Sequence, residues 1–391
     1  MNNFNYFAPT KVVFGKSVEE QVGLLIKEQN CKKVLLHYGG NSSIKSGLLN
    51  HIKELLKDAD INYVCLGGVV PNPRLSLVYR GIELCKSEGI DFILAIGGGS
   101  VIDSAKAIGY GVSNNGDVWD FYNYMREATA CLPIGAILTI SAAGSEMSNS
   151  SVITNEDGWV KRGYSSNLSR LKFAIMNPEL TMTLPDYQTA CGCADILMHT
   201  MERYFNHSEN MELTDGLSEA LMKTVVKNAR VLVSEPKNYE ARAEVMWAGS
   251  LSHNGLTGCG TDGGDWATHK LEHELGGMFD VAHGAGLTAI WGSWARYVYK
   301  DCIQRFAKFA INVMNVPDGE PEATALKGIE AMEDFYRFIN MPTSLKELAI
   351  VPTDIQINEM ADKCCVATNS SLGSVKKLSK SDMVKIYELA R

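Results

Sequence analysis

The run HKLEHELGGMFDVAHG, residues 269–284, holds three of the chain's eight histidines: His269, His273 and His283. Another, His199, stands four residues after Asp195 in ADILMHTMERYF. On a helix, a spacing of four puts two side chains on one face, one turn apart; His269 and His273 share that spacing. One carboxylate and several imidazoles suit zinc, iron(II) or a similar divalent ion, and the residue types do not choose among these metals. With no thiolate in the set, the pattern fits a catalytic metal better than a structural zinc. HKLEH also reads as H-x-x-E-H, the inverted zinc-peptidase motif, in which His269 and His273 bind zinc and Glu272 is the base. That alternative leaves a second chemistry-bearing segment, in the first half of the chain, without a role.

The second segment is DFILAIGGGSVIDSAKAI, residues 91–108. An apolar strand-like run meets Gly97, Gly98, Gly99 and Ser100 and then a helical pattern. Glycines let a phosphate approach the backbone, and a helix N-terminus offers unpaired N–H groups at its positive end. Ser100 with Asp103 resembles a capping box in which Asp replaces the usual Glu. A polar loop leaves the next strand in LTISAAGSEMSNSSVI, where Thr139, Ser141 and Ser145 offer hydroxyls around Ala142, Ala143 and Gly144. Two such loops at the carboxyl ends of neighbouring strands are where open α/β sheets bind ligands. In LLHYGGNSSIKSG no acidic residue stands where an NAD-preferring sheet places one against the ribose. Gly39, Gly40, Asn41, Ser42 and Ser43 leave room and donors for a 2'-phosphate, and Lys45 adds charge, so NADP(H) is the expected cofactor.

Elements must bring these residues together. The runs 32–40, 61–69, 91–100, 132–139 and 171–178 are short, continuously apolar and end in Gly, Pro or polar residues, as strands do. SVEEQVGLLIKEQ and RLSLVYRGIELCKSEG carry apolar residues at helical spacing between them. Strand–helix alternation with strands apolar on both faces implies a parallel sheet covered by helices. After TMTLPDYQTA the patterns are helical only, and LPD reads as a stop followed by an N-cap. The expected architecture is an α/β dinucleotide-binding domain over residues 1–184 and an all-α metal-binding domain over 185–391. A chain of 391 residues is long enough for two such cores. A net charge of −8 argues against nucleic acid or an anionic membrane as partner. No secretory signal or membrane-length apolar run is read, so a cytoplasmic protein with reduced thiols is expected. The ten cysteines form no paired CxxC blocks.

Taken together, FAPTKVVFGK, GGGSVIDSAKAI, GSEMSNSSVIT, DILMHTMERYF and GDWATHKLEHELGGMFDVAHGAGL resemble the iron-containing (group III) alcohol dehydrogenases, in particular their NADPH-dependent butanol dehydrogenase-like branch. The resemblance covers nearly the whole chain. It implies a dehydroquinate synthase-like fold, a homodimer, and reversible hydride transfer between NADP(H) and a primary alcohol or aldehyde such as butanol or butyraldehyde. It implies Asp195, His199, His269 and His283 as ligands of Fe(II) or Zn(II), and His273 as a non-ligand histidine that relays a proton. It implies cofactor contacts at Asn72, Gly98, Gly99, Ser100, Asp103, Thr139, Val152 and Lys161. His253, in SHNGL, matches a family motif but not a ligand and is read as structural. One departure is Ala143, where the family carries threonine; loss of one hydrogen bond, about 1 kcal/mol, would weaken cofactor binding. Within the same fold, a lyase or cyclase would need a basic pocket, and no Lys/Arg cluster accompanies the metal motifs. A metal-dependent binding protein without turnover would not need cofactor and relay residues.

Overall fold

A computed structural model describes residues 1–40 and 42–391. They form two compact units, one of Ala8–Thr183 and one of Leu184–Arg391 together with Met1–Phe7. The first seven residues were read as part of the α/β domain, but they lie with the helical unit. There the Asn2 N–H donates to the Gly260 carbonyl at 2.9 Å, the Met1 ammonium to the Glu209 carbonyl at 2.9 Å, and Asn254 Nδ2 to the Tyr6 hydroxyl at 3.2 Å.

The Ala8–Thr183 unit runs β1 (Lys11–Phe14), α1 (Val22–Lys27), β2 (Lys33–Gly39), α2 (Ser42–Lys45), α3 (Leu48–Asp58), β3 (Asn62–Val69), α4 (Leu75–Glu88), β4 (Phe92–Gly97), α5 (Gly99–Ser113), α6 (Trp119–Tyr122), β5 (Ile134–Leu138), β6 (Ser150–Asn155), β7 (Val160–Ser165) and β8 (Phe173–Met176). Six strands form one parallel sheet in the order β1-β8-β5-β4-β2-β3. FILAIG, IGAIL and FAIM of β4, β5 and β8 are buried at every position, as strands covered on both faces must be. The chain moves outward from β2 to β3, then crosses to β4 on the other side of β2. This reversal of strand order is where sheets of this kind open a crevice at their carboxyl ends. The expected strands are present. Three strands lie outside that expectation: the edge strand β1, and β6 and β7 of an antiparallel hairpin, whose SSVITN and VKRGYS are too polar for the apolar-run criterion.

The helical unit continues with α7 (Asp186–Tyr204), α8 (Glu212–Ser234), α9 (Tyr239–His253), α10 (Ala267–Phe279), α11 (His283–Val298), α12 (Ile303–Asn312), α13 (Pro321–Phe338), α14 (Asp354–Ala367) and α15 (Lys380–Ala390). LPD does stop the chain before a helix, but the N-cap is Pro185 and makes no side-chain cap bond. From Gly192 to Tyr204 every residue of α7 is buried, so this helix runs through the core with neighbours all round. Its polar residues Asp195, His199, Glu202 and Arg203 are therefore buried too, and each needs an internal partner. Trp291 and Trp294 of α11 fill the same core. The Tyr387 hydroxyl of α15 donates to the Leu271 carbonyl of α10 at 2.7 Å. All ten cysteines are free; the Cys191 thiol lies against Met341 Sδ at 3.8 Å. Among the described residues no helix is long and apolar enough to cross a membrane.

Candidate metal centre and cofactor cradle

Asp195, His199 and His269 each offer one ligand atom within 4.8 Å of the others, and all three are buried. Asp195 Oδ1 lies 3.1 Å from His199 Nδ1, 3.7 Å from His269 Nε2 and 3.7 Å from His283 Nε2. The sequence spacing becomes geometry in three steps. The interval from Asp195 to His199 is one turn of α7. His269 lies on α10, and His283 opens α11. Gly284 then lets α11 approach α7 so closely that a Cβ there would collide with the Cys191 backbone.

Outside the four, two carboxylates orient the rings. His269 Nδ1 lies 3.1 Å from Glu202 Oε1, which also accepts the His269 backbone N–H at 3.0 Å. His283 Nδ1 is paired with Glu272 Oε2. His199 Nδ1 lies 3.0 Å from the Asp195 carbonyl. His269 and His283, each held at Nδ1 by a carboxylate, present Nε2 toward Asp195 Oδ1, the usual outer support of a metal-bound histidine. Asp195 Oδ1 and His269 Nε2 are buried without a hydrogen-bond partner. Unpaired buried acceptors are costly, and a divalent cation among them removes that cost, so these residues fit a resident metal.

Electrostatics agree. Burial would raise the Asp195 pKa, but His199 and His283 outweigh it and hold the carboxyl well below its ordinary value. Burial drives His199 down to about 4, against the pull of Asp195, so it is neutral, as a ligand must be. Burial also acts to lower His269, but the neighbouring Asp195 and Glu202 carboxylates raise it overall.

His273 is buried one turn beyond His269, with its ring 6.0 Å from that of His283. His253, read as structural, brings its ring to 4.0 Å from His199, so it borders the cluster. Trp266, in the left-handed region at φ 60°, packs its indole 5.4 Å from the His269 ring. The peptidase alternative fails on Glu272, which is fully buried with its carboxylate engaged by His283. Glu202 was missed, although its position three residues after His199 on the same helix was a usable signal.

In the Ala8–Thr183 unit, α5 begins with Gly98 as N-cap and has no side-chain cap bond. The capping box expected from Ser100 and Asp103 does not form. The Asp103 carboxylate instead accepts from the Ser145 hydroxyl and, at 2.9 Å, from the Val152 N–H. No side chain caps the start of α5, where Val101 N–H already donates to the Gly98 carbonyl at 3.0 Å, so Gly99 and Ser100 are the positions whose N–H groups can meet a ligand. A Cβ on Gly98 would collide with Ile140, and one on Gly99 would stand 3.2 Å from Ala143 Cβ, so the 139–145 loop lies directly over the helix start. Thr139 N–H donates to the Gly97 carbonyl at 3.1 Å, and Ser141 and Ser145 are buried in the loop. Val152 lies on β6; Lys161, buried on β7, is paired in register with Thr154. Asn72 follows β3, buried and at φ 53°. Gly39 ends β2, and Gly40 has open space around its α-carbon. Ser42 and Ser43 start α2, and Asn41 lies outside the described residues.

The family described as "Iron-containing alcohol dehydrogenase" matches residues 9–178, and "Fe-containing alcohol dehydrogenase family, C-terminal" matches residues 189–391. The α/β unit with its glycine-lined helix start and the helical unit with its Asp/His cluster make the class an alcohol/aldehyde oxidoreductase. The chain belongs to the iron-containing alcohol dehydrogenase family. It is 36% identical to NADH-dependent butanol dehydrogenase A of Clostridium acetobutylicum over 390 residues, 99% of each chain. It is 31% identical to the NADPH-dependent aldehyde reductase YqhD of Escherichia coli over the full length of both. The crystal structure of NADH-dependent butanol dehydrogenase A from Thermotoga maritima superposes with a TM-score of 0.96 at 38% identity, covering 100% of this chain and 99% of that one.

Proposed function

We propose that the chain is an NADP(H)-dependent alcohol dehydrogenase and aldehyde reductase acting on primary alcohols and aldehydes such as butanol and butyraldehyde. Asp195, His199, His269 and His283 would hold one divalent metal, Fe(II) or Zn(II). The single observation that carries this reading is the convergence of one carboxylate and three carboxylate- or carbonyl-braced imidazoles on buried, unpartnered Asp195 Oδ1 and His269 Nε2. The bound metal supplies a Lewis acid for the substrate oxygen, and the nicotinamide supplies or accepts hydride.

The remaining work belongs to the protein. Glu202 and Glu272 fix the His269 and His283 rings. His273 carries the alcohol proton, a role suited to an imidazole near neutral pH. Gly98, Gly99 and Ser100 take the cofactor phosphates at the uncapped start of α5, with Thr139, Ser141 and Ser145 over them. Asn72, Asp103, Val152 and Lys161 complete the cofactor contacts. A 2'-phosphate is supported by the absence of an acidic residue in the sequence after β2, by the space at Gly40, and by the Ser43 hydroxyl, which is buried with no partner among the described residues. NADH is the second reading, favoured by the names of the Clostridium and Thermotoga relatives.

The test follows NADPH absorbance with butyraldehyde on protein reconstituted with Fe(II), with Zn(II) or with chelator, then repeats it with NADH. The expected result is metal-dependent oxidation, faster with NADPH at equal concentration. No oxidation with any metal, while cofactor still binds, would overturn the dehydrogenase reading. Equal or better use of NADH would overturn the cofactor preference alone.

A further inference from the structure

Lys106 is a lysine in the middle of α5, among alanines and isoleucines, and it is fully buried. Neither the sequence reading nor the proposed chemistry gives it a part. Its Nζ lies 2.8 Å from the Ser145 carbonyl, 3.1 Å from the Ser145 hydroxyl, 3.1 Å from the Ser148 carbonyl, 3.3 Å from the Ser148 hydroxyl and 2.7 Å from the Ser150 carbonyl. An ammonium has three protons, so these five oxygens share them, and every one comes from the segment leading from the 139–145 loop into β6. A buried cation is costly, and a helix packed on a sheet gains nothing from a lysine there that an apolar residue would not supply. One turn earlier, Asp103 binds the same segment through the Ser145 hydroxyl and the Val152 N–H. The segment so held continues into the loop whose Ala143 stands over Gly99.

We propose that Lys106 is the positioning residue of the cofactor cradle: its ammonium draws the carbonyls of Ser145, Ser148 and Ser150 onto α5 and so sets the gap between the 141–144 loop and Gly99 in which the cofactor phosphates are held. The proposal rests on the cofactor reading above. Without the charge, a neutral amine donates two hydrogen bonds where five oxygens converge, and the loop loses its anchor. The cation is faced by Asp103 of its own helix, Glu146 of the loop, Arg170 ahead of β8 and Cys131 ahead of β5. Burial brings its pKa down to about 8, with Asp103 and Glu146 acting against that shift. The anchor is therefore charged at neutral pH and discharges in mildly alkaline solution.

The test titrates NADPH into the metal-loaded wild-type chain and into Lys106→Met, by nicotinamide fluorescence, from about pH 7 to about pH 9.5, alongside melting temperature and metal content. The expected result is an NADPH dissociation constant that weakens about ten-fold with rising pH in wild type. In the folded variant it should already be about ten-fold weaker at neutral pH and flat with pH, with KM for NADPH raised, kcat at saturation retained and metal content unchanged. Variant affinity within about two-fold of wild type would overturn the proposal, as would a wild-type affinity that does not change over this range. Should Lys106→Met not fold, the wild-type titration decides alone. Wild type that binds neither NADPH nor NADH would defeat the cofactor reading itself, an outcome visible before the variant is examined.

Discussion

Glu202 and Glu272 each grip one nitrogen of a histidine and leave the other nitrogen to the cluster. Weakening that grip should cost affinity without removing a ligand. Glu202→Gln is expected to lower metal affinity by about 10- to 100-fold in chelator competition. An unchanged affinity would make Glu202 a core acid with no part in the centre. His273→Ala is expected to keep metal and NADPH binding while kcat falls by about 100-fold or more, and full activity across the pH range would remove the proton role. At this scale the sequence was informative where helical spacing paired Asp195 with His199 and His269 with His273, whereas His283 entered as a ligand through the family resemblance alone. The sequence was silent on residues whose role is set by a partner distant in the chain. His253 reached the cluster, and Lys106 reached Ser148 and Ser150, through tertiary packing that no local spacing encodes.

At the scale of elements, the meeting of α7 and α11 depends on the absence of one methyl group. Gly284 sits against the Cys191 backbone, one residue after His283. Gly284→Ala should push the helices apart, cost about 3 kcal/mol and lower the metal content, which a melting curve and metal analysis would report together. A variant with wild-type stability and full metal would show that the contact can relax freely. The uncapped start of α5 is the other element-scale feature. The capping box was expected because Ser100 and Asp103 have the right spacing, and it failed because Asp103 found Ser145 and the Val152 N–H instead. The sheet was legible because β4, β5 and β8 are apolar on both faces. The β6–β7 hairpin was not, because its polar residues are satisfied by distant groups, as where the Ser151 hydroxyl donates to the Asp103 carbonyl at 2.9 Å.

For the molecule as a whole, one acid-sensitive contribution to stability comes from the α/β unit. His37, on β2, is fully buried between the Leu66 carbonyl and the Ser104 hydroxyl, each at 2.9 Å. Burial lowers its pKa from the ordinary 6.5 to about 4, with the Leu66 hydrogen bond acting the other way. The unfolded chain takes up this proton near pH 6.5 and the folded chain does not until about pH 4. Stability is therefore intact above 6.5 and declines by about 3 kcal/mol as pH falls to the folded value. Denaturant midpoints of wild type and His37→Gln measured over this interval should converge on acidification, and parallel curves would rule His37 out.

The division of the chain also carries an instruction for its synthesis. Met1–Phe7 belongs to the unit that resumes only at Leu184, so the α/β unit is, topologically, an insert in the helical one. On the ribosome residues 1–7 must wait while the whole insert emerges, and longer still for the Glu209, Asn254 and Gly260 groups they will bind. The insert can close its own core first, whereas the helical body is finished by reclaiming residues made before the insert. A purification tag fused ahead of Met1 would accordingly burden the unit that carries the Asp195, His199 and His269 cluster, although in the primary structure the two lie far apart.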